Sequence, residues 1–499
     1  MTPLRVVIVG GGSSGWMAAA AFTCLLPPSA CTVRLIESDE IGIVGVGEAT
    51  LPHVRYFFER LGIDEPAFVA ATEATMKLGI EFVGWGAPGD SYIHPFGGYG
   101  RPIAGAEFQH AWARGRRLGI AKRLEPYSFA VAAARAGRFA RPSPDRSDIR
   151  STFDYAYQFD ATLYARFLRA HAEGHGLRRT EGRVVAVTRD ATSGDIASVT
   201  LASGEVVAGD LFIDCSGFRA LLIGETLASP WQDWTHLLPC DRAMAVPCAN
   251  TGPLHPYTKA TARAAGWQWT IPLQHRTGNG YVYSSALISD DAAAATLLAN
   301  LPGPALAEPR PLRFRSGRRT ASWTGNCVAV GLASGFLEPL ESTSLYLAQI
   351  AVTTLLDLWP GSPVDPRLRA EFNRRIDREY DRVRDFLVLH YHATSGYDTD
   401  LWRHVRTMTL PDSLAEKIEL FRATAHVTRY HDGLFAPESW LAVFEGQGIV
   451  PTNHSRIVDG LEPDALARRL GEIEREVATA LTTLPSHDDH LRGLRAAAA

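Results

Sequence analysis

The sequence predicts an α/β protein: a parallel sheet wound with helices, an added sheet inserted into it, and a mainly helical C-terminal region. Three observations predict this. Residues 5–37 read strand, glycine turn, helix, strand, acid. Residues 183–330 alternate short β-branched runs with turn signals, and from residue 344 long amphipathic helical patterns dominate.

Composition narrows the class. At roughly 150 residues per domain, 499 residues make about three domain-equivalents, a length large enzymes pool around one core. With 46% apolar and 21% charged residues, a disordered chain, a collagen and a coiled coil are excluded. A net charge of −4 gives no basic field for nucleic acid. The six cysteines show no CxxC pairing, so neither a disulfide scaffold nor a Cys-based zinc site is expected, and a reducing, cytoplasmic setting fits. No run of about 18 apolar residues predicts a membrane span. Val6-Val7-Ile8-Val9 runs into three glycines, the wrong shape for a signal peptide.

The elements follow in order. Residues 5–9 are a buried strand, 16–26 an alanine-rich helix ended by Pro27-Pro28, and 32–36 a second strand closing on Glu37. Helical patterns cover 53–61 and 65–77, and the Gly- and Pro-rich stretch 86–106 reads as loop. A helix at 161–175 precedes a meander with strands at 183–188, 196–201, 205–207 and 210–214. Residues 220–320 form an inserted, substrate-facing sheet, 327–330 a late strand, and a helix starts near Ser344. Helices at 367–391, 412–425 and 463–481 follow, and 493–499 reads as a frayed end. The division expected is a core over 1–360 and a helical region over 361–499 that completes a substrate pocket.

Gly10-Gly11-Gly12-Ser13-Ser14-Gly15 carries the first chemistry. Gly10 permits the tight turn, Gly12 lets the backbone approach a pyrophosphate, and Gly15 lets helix and strand pack closely. The phosphates would sit on free N–H groups at the helix start, around Ser13 and Ser14. Glu37 follows Gly15 by 22 residues, close to the spacing of about 20 at which an acid binds the ribose hydroxyls. Strand, helix and acid in register predict a Rossmann-like dinucleotide site. Two segments favour FAD: the strand ending Asp214-Cys215-Ser216-Gly217, and Asn326-Cys327-Val328-Ala329-Val330-Gly331 returning towards a flavin. An acid usually follows that last glycine in flavin hydroxylases. Leu332 stands there instead, so an NAD(P)H-dependent aromatic hydroxylase is the alternative rather than the reading.

Four motifs together resemble the flavin-dependent tryptophan halogenase family. They are the glycine loop continuing into Trp16-Met17-Ala18-Ala19; Gly45-Val46-Gly47-Glu48-Ala49-Thr50; Trp267-Gln268-Trp269-Thr270-Ile271-Pro272, which matches the WxWxIP signature; and Glu338-Pro339-Leu340-Glu341-Ser342-Thr343. Their order matches over nearly the whole chain, most weakly after residue 400. The resemblance implies a flavin-monooxygenase-type fold that takes FAD as FADH2, O2 and a halide. A separate flavin reductase would be a transient partner, consistent with the lack of a second nucleotide fingerprint, and a homodimer is a family expectation.

Residue by residue, the resemblance places Lys77 at the essential lysine, which takes up hypohalous acid by hydrogen bond or as a haloamine. A lysine offers three donors when charged and a nucleophilic amine when desolvated. Glu341 matches the essential carboxylate that stabilises and deprotonates the ring cation, and Ser342 beside it joins the catalytic set. Thr343 and Ser344 match the halide position, where tryptophan-acting members carry glycine in place of Ser344; bromide over chloride is the expected preference. Ala49, Val184, Leu332 and Leu345 fall at FAD-lining positions. His94 and Phe96 match a pair that sandwiches indole, Trp440 is a candidate third wall, and Trp267 and Trp269 match tunnel residues. Tyr430 to Trp440 lacks the adjacent tyrosines of the tryptophan-gripping lid, so the chain resembles the broader indole-accepting subgroup, with free tryptophan as second substrate choice. His487-Asp488-Asp489-His490 looks like ligand material but stands in a polar tail, and no metal is expected.

Overall fold

Val6 to Val9 are buried on both faces, which suits β-branched side chains to the middle of a parallel sheet. The computed structural model describes residues 2–40, 47–430 and 433–498. It divides into two compact units, each built from three segments: 1–74, 159–238 and 313–381 in the first, 75–158, 239–312 and 382–499 in the second. The chain thus passes between units five times, whereas the sequence reading divides it once near residue 360.

In the first unit Leu4–Val9 is flanked by parallel strands Cys31–Glu37 and Leu211–Asp214. Arg178–Glu181 and Cys327–Ala329 extend the sheet in parallel on either side, and Trp323–Thr324 closes one edge antiparallel. Val9 stands opposite both Ile36 and Asp214, so the turns after all three strands leave from one edge. Helix Ser13–Leu25 rises from the glycine turn and packs on helices Ala161–Gly174 and Ser344–Asp357. Strands Val184–Arg189, Ile196–Leu201 and Val206–Ala208 form a separate antiparallel sheet. Its Val184, Val199 and Leu201 share a core with Val7, Val9, Ile36 and Phe212. The expected fourth meander strand instead joins the parallel sheet, because its all-apolar Leu211-Phe212-Ile213 suits a strand covered on both faces.

In the second unit Arg242–Cys248, Thr277–Tyr283, Gly266–Pro272, Thr258–Arg263, Gly79–Val83 and Ser91–Pro95 lie side by side in that order. Ser91–Pro95 falls in the stretch read as loop. Its Gly and Pro flanks are real turns, and pairing with Gly79–Val83 makes the middle a strand. The helix read over 65–77 is likewise corrected. The helix is Glu65–Ala71, Glu73 takes φ +53°, and Thr75–Lys77 is a strand paired with Ala156–Gln158. The C-terminal end is also not frayed: His487–Ala498 is a helix with Leu491 and Leu494 buried. The six cysteines are free, and among the described residues no helix is long and apolar enough to cross a membrane.

Candidate active site

The glycine loop in the first unit is set by sterics. Gly10 has φ +113°, and a Cβ there would stand 2.2 Å from the Cys215 carbonyl oxygen. A Cβ on Gly15 would stand 1.9 Å from the Gly10 oxygen, so only glycine lets helix and loop close up. Gly12 differs: a Cβ there meets nothing within 4 Å. It is the N-cap of the helix, and among the described residues no side chain caps that end, so the first-turn N–H groups have no capping acceptor and the space beside Gly12 is open. Room for a ligand over uncapped donors is what a pyrophosphate needs, and the residues fit the dinucleotide implied by the fingerprint.

Glu37 lies against the loop. Its Oε2 accepts from Trp16 Nε1 at 3.2 Å and its Oε1 from Arg179 Nε at 2.5 Å. Arg179, which the sequence did not single out, also reaches Asp39 and Glu181. A carboxylate offers about four acceptor positions, so Glu37 retains capacity for ribose hydroxyls. Asp214, at the neighbouring strand end, is spent structurally. It accepts from the N–H groups of Ser216, Leu222 and Ile223, while burial pushes its carboxyl up. Gly331, at φ +69°, approaches Ser14 so closely that a Cβ would lie 2.2 Å from its Oγ, which sets the turn holding Leu332 beside the helix start. Val184 is in the sheet core, and Ala49 is buried on Gly47–Ala49; Gly45 and Val46 of its motif lie outside the described residues.

Glu341 ends the short turn Pro339–Glu341 and is fully buried. Ser342 takes the left-handed conformation, φ +59°, and Thr343 is the N-cap of helix Ser344–Asp357, with Leu345 buried in its first turn. No side chain caps this helix either. The Thr343 hydroxyl is buried and has no hydrogen-bond partner among the described residues. An unpartnered donor at the positive end of a 14-residue helix suits a small anion.

In the second unit Lys77 closes strand Thr75–Lys77, fully buried, with Nζ 5.1 Å from the Phe96 ring centroid. Neighbouring hydrogen bonds hold that strand. Thr75 Oγ1 donates to the Pro272 carbonyl at 2.7 Å, so the end of the WxWxIP segment is tied to the lysine strand. Gln158 Nε2 donates to Thr75 Oγ1 and its Oε1 accepts from Thr258. The Met76 N–H donates to His487 Nε2 at 3.1 Å, and His487 Nδ1 donates to the Leu254 carbonyl at 2.8 Å. Burial pushes the His487 imidazole down to about 4, so it is the neutral ring that accepts. Of the tail motif, His487 is therefore a buried support beside Phe139, while Asp489 is exposed.

His94 lies on Ser91–Pro95 and Phe96 just beyond it. Their rings are nearly perpendicular, 80° at 6.4 Å, rather than a parallel sandwich. Between His94 and Trp440 stands Phe386, 5.5 Å from the first and 5.0 Å from the second. Phe435 stacks on Phe386 at 3.8 Å. Sequence reasoning missed both phenylalanines, since a phenylalanine in a long amphipathic helix or a short loop carries no signal beyond core packing. Trp440 also takes the Lys417 ammonium on its face at 4.2 Å. Trp267 and Trp269 project from one strand face 6.2 Å apart. Trp267 joins the buried rings of Trp85, Trp402 and Tyr391, and Trp269 covers Gly280.

The arrangement gives one unit an uncapped dinucleotide loop and an anion-ready helix start, and the other a buried lysine among aromatic rings. A family profile described as tryptophan halogenase matches residues 5–463. SttH, a tryptophan 6-halogenase from Streptomyces toxytricini, is 35% identical over 99% of this chain and 98% of its own length. Among solved structures, the flavin-dependent halogenase BrvH from Brevundimonas sp. BAL3 superposes with a TM-score of 0.95 at 45% identity, covering 99% of each chain. Xcc4156, a flavin-dependent halogenase from Xanthomonas campestris, does so with the same TM-score and coverage at 47% identity. The glycine loop, the lysine and the glutamate are thus read in a full-length family frame, and the chain belongs to the tryptophan halogenase family as a flavin-dependent halogenase.

Proposed function

We propose that this protein halogenates free indole or a related electron-rich arene, drawing FADH2 from a separate flavin reductase and using O2 with bromide or chloride. When bound, the reduced flavin supplies with O2 the oxidising power that turns halide into hypohalous acid. The glycine loop binds the pyrophosphate on its uncapped N–H groups. The Thr343 hydroxyl and the first N–H groups beside Ser344 hold the halide. Lys77 holds the hypohalous acid by donating hydrogen bonds or as a haloamine. The arene carbon takes the halogen while hydroxide leaves from hypohalous acid, or the free amine from a protonated haloamine formed with loss of water, and Glu341 accepts the ring proton as aromaticity returns. The observation that carries this reading is the placement of Lys77, fully buried with its Nζ 5.1 Å from the Phe96 ring centroid, where a halogen held on that nitrogen would lie among aromatic rings.

Indole is preferred over tryptophan because His94, Phe96, Phe386, Phe435 and Trp440 form a cluster of rings, whereas the tyrosine pair of the amino-acid lid has no counterpart between Tyr430 and Trp440. Free tryptophan is the second reading, supported by the likeness to SttH. The test is mass spectrometry of reactions holding FAD, a flavin reductase, NADH and O2, with indole or tryptophan and chloride or bromide. We expect a one-halogen mass shift on indole, larger with bromide, that Lys77→Ala abolishes while FAD still binds. Halogenation that survives Lys77→Ala, or oxygen added in place of halogen, overturns the reading. Halogenation of tryptophan alone overturns the substrate choice.

A further inference from the structure

A second cluster of ligand-type side chains lies in the first unit, on helix faces apart from the glycine loop and the Glu341 turn. Cys24, His171 and His175 each offer one ligand atom, and these three atoms lie within 4.8 Å of one another. His171 is in the last turn of helix Ala161–Gly174 and His175 is its C-cap, four residues on, so both rings leave one face, with centroids 4.5 Å apart. Cys24 comes from the last turn of helix Ser13–Leu25, which packs along the first. It is also the one cysteine of the six that is not buried.

Carbonyl contacts decide which nitrogen of each ring could ligate. His171 Nε2 lies 3.1 Å from the Leu61 carbonyl oxygen, and His175 Nδ1 lies 2.7 Å from that of His171. A carbonyl only accepts, so both of these nitrogens carry hydrogen. In the neutral rings the lone pairs are therefore on His171 Nδ1 and His175 Nε2. A ring whose second N–H is tied to a carbonyl has its tautomer fixed and its basicity raised, the usual support of a metal-bound histidine. Zinc bonds of about 2.0–2.3 Å require donor atoms about 3.4 Å apart, so side-chain rotations of about 1 Å close the set.

We propose that Cys24 Sγ, His171 Nδ1 and His175 Nε2 form a zinc(II) site. Binding releases the thiol proton to solvent and leaves the fourth tetrahedral position to water. The ion would staple the helix that carries the glycine loop to helix Ala161–Gly174. No CxxC spacing announces such a site, because its ligands come from two helices nearly 150 residues apart in sequence.

The test is cobalt(II) titration of tag-free, chelator-treated protein, followed by displacement with zinc(II). We expect one equivalent per chain with thiolate-to-cobalt charge-transfer absorption. Cys24→Ala should remove that absorption, His175→Ala should weaken binding about tenfold or more, and zinc should raise the wild-type Tm but not that of Cys24→Ala. Both substitutions fall at positions that are not buried, so circular dichroism should show the wild-type fold. No saturable binding below about 1 mM, or binding and absorption unchanged in Cys24→Ala, overturns the site.

Discussion

Thr343 shows how much one side chain can report. A buried hydroxyl normally finds a partner, since leaving it without one costs about 1–3 kcal/mol. Here the cost is accepted at a helix start, where an arriving anion would take both the hydroxyl proton and the backbone N–H groups. Thr343→Val keeps the shape and removes the donor. A hydrogen bond to a charged partner is worth about 1.5–3 kcal/mol, so halide KM should rise about tenfold or more with FAD affinity unchanged. Thr343→Ser should stay near wild type. Ser344→Gly removes the side chain that departs from the tryptophan-acting pattern. It should change the ratio of bromide to chloride turnover measured in competition, and an unmoved ratio would remove Ser344 from the halide site.

Elements differ in how far the sequence announces them, and the reason is range. The strand, turn, helix and second strand of residues 4–37 were legible because their determinants are local: β-branched runs, three glycines, an alanine-rich segment and a proline stop. Thr75–Lys77 reads as helix in the sequence because its partner Ala156–Gln158 lies about eighty residues away and leaves no mark on its own composition. Ser91–Pro95 is hidden for a different reason: its partner Gly79–Val83 is close in sequence, but the glycines and prolines between and after the two strands mask the hairpin. The glycine loop allows a test of steric role against binding role within one element. Gly15→Ala drives a Cβ into the Gly10 carbonyl, and overpacking of that kind costs about 1–3 kcal/mol, so it should lower the Tm of the apo protein and FAD affinity together. Gly12→Ala meets open space, so apo stability should hold within about 0.5 kcal/mol while FAD binding weakens sharply. Thermal unfolding and flavin fluorescence quenching separate the two. Equal losses of stability would mean that the loop, rather than the ligand, needs Gly12.

For the whole chain, the least legible feature is the bond from His487 to Met76, which spans 411 residues and supports the residue before Lys77. His-Asp-Asp-His after a proline, close to the end, gave the sequence no cue for burial, because what buries His487 is packing against Phe139 and the Leu254 carbonyl from distant segments. The bond makes stability depend on pH in a definite sense. The imidazole is held down at about 4, against about 6.5 in the unfolded chain. Above pH 6.5 it is neutral in both states and its contribution is complete. Between 6.5 and 4 the unfolded chain takes a proton that the folded chain refuses, and stability falls by up to about 3 kcal/mol. His487→Gln retains a carbonyl acceptor for the Met76 N–H but does not titrate. Its unfolding free energy should therefore lose about 2–3 kcal/mol less than wild type between pH 7 and pH 4.5. His487→Ala, which strands a buried N–H, should already be destabilised by about 1–3 kcal/mol at pH 7. Denaturant unfolding at the two pH values checks both. Parallel losses in wild type and His487→Gln would mean that some other group governs acid unfolding, and that the C-terminal helix supports the lysine strand by packing alone.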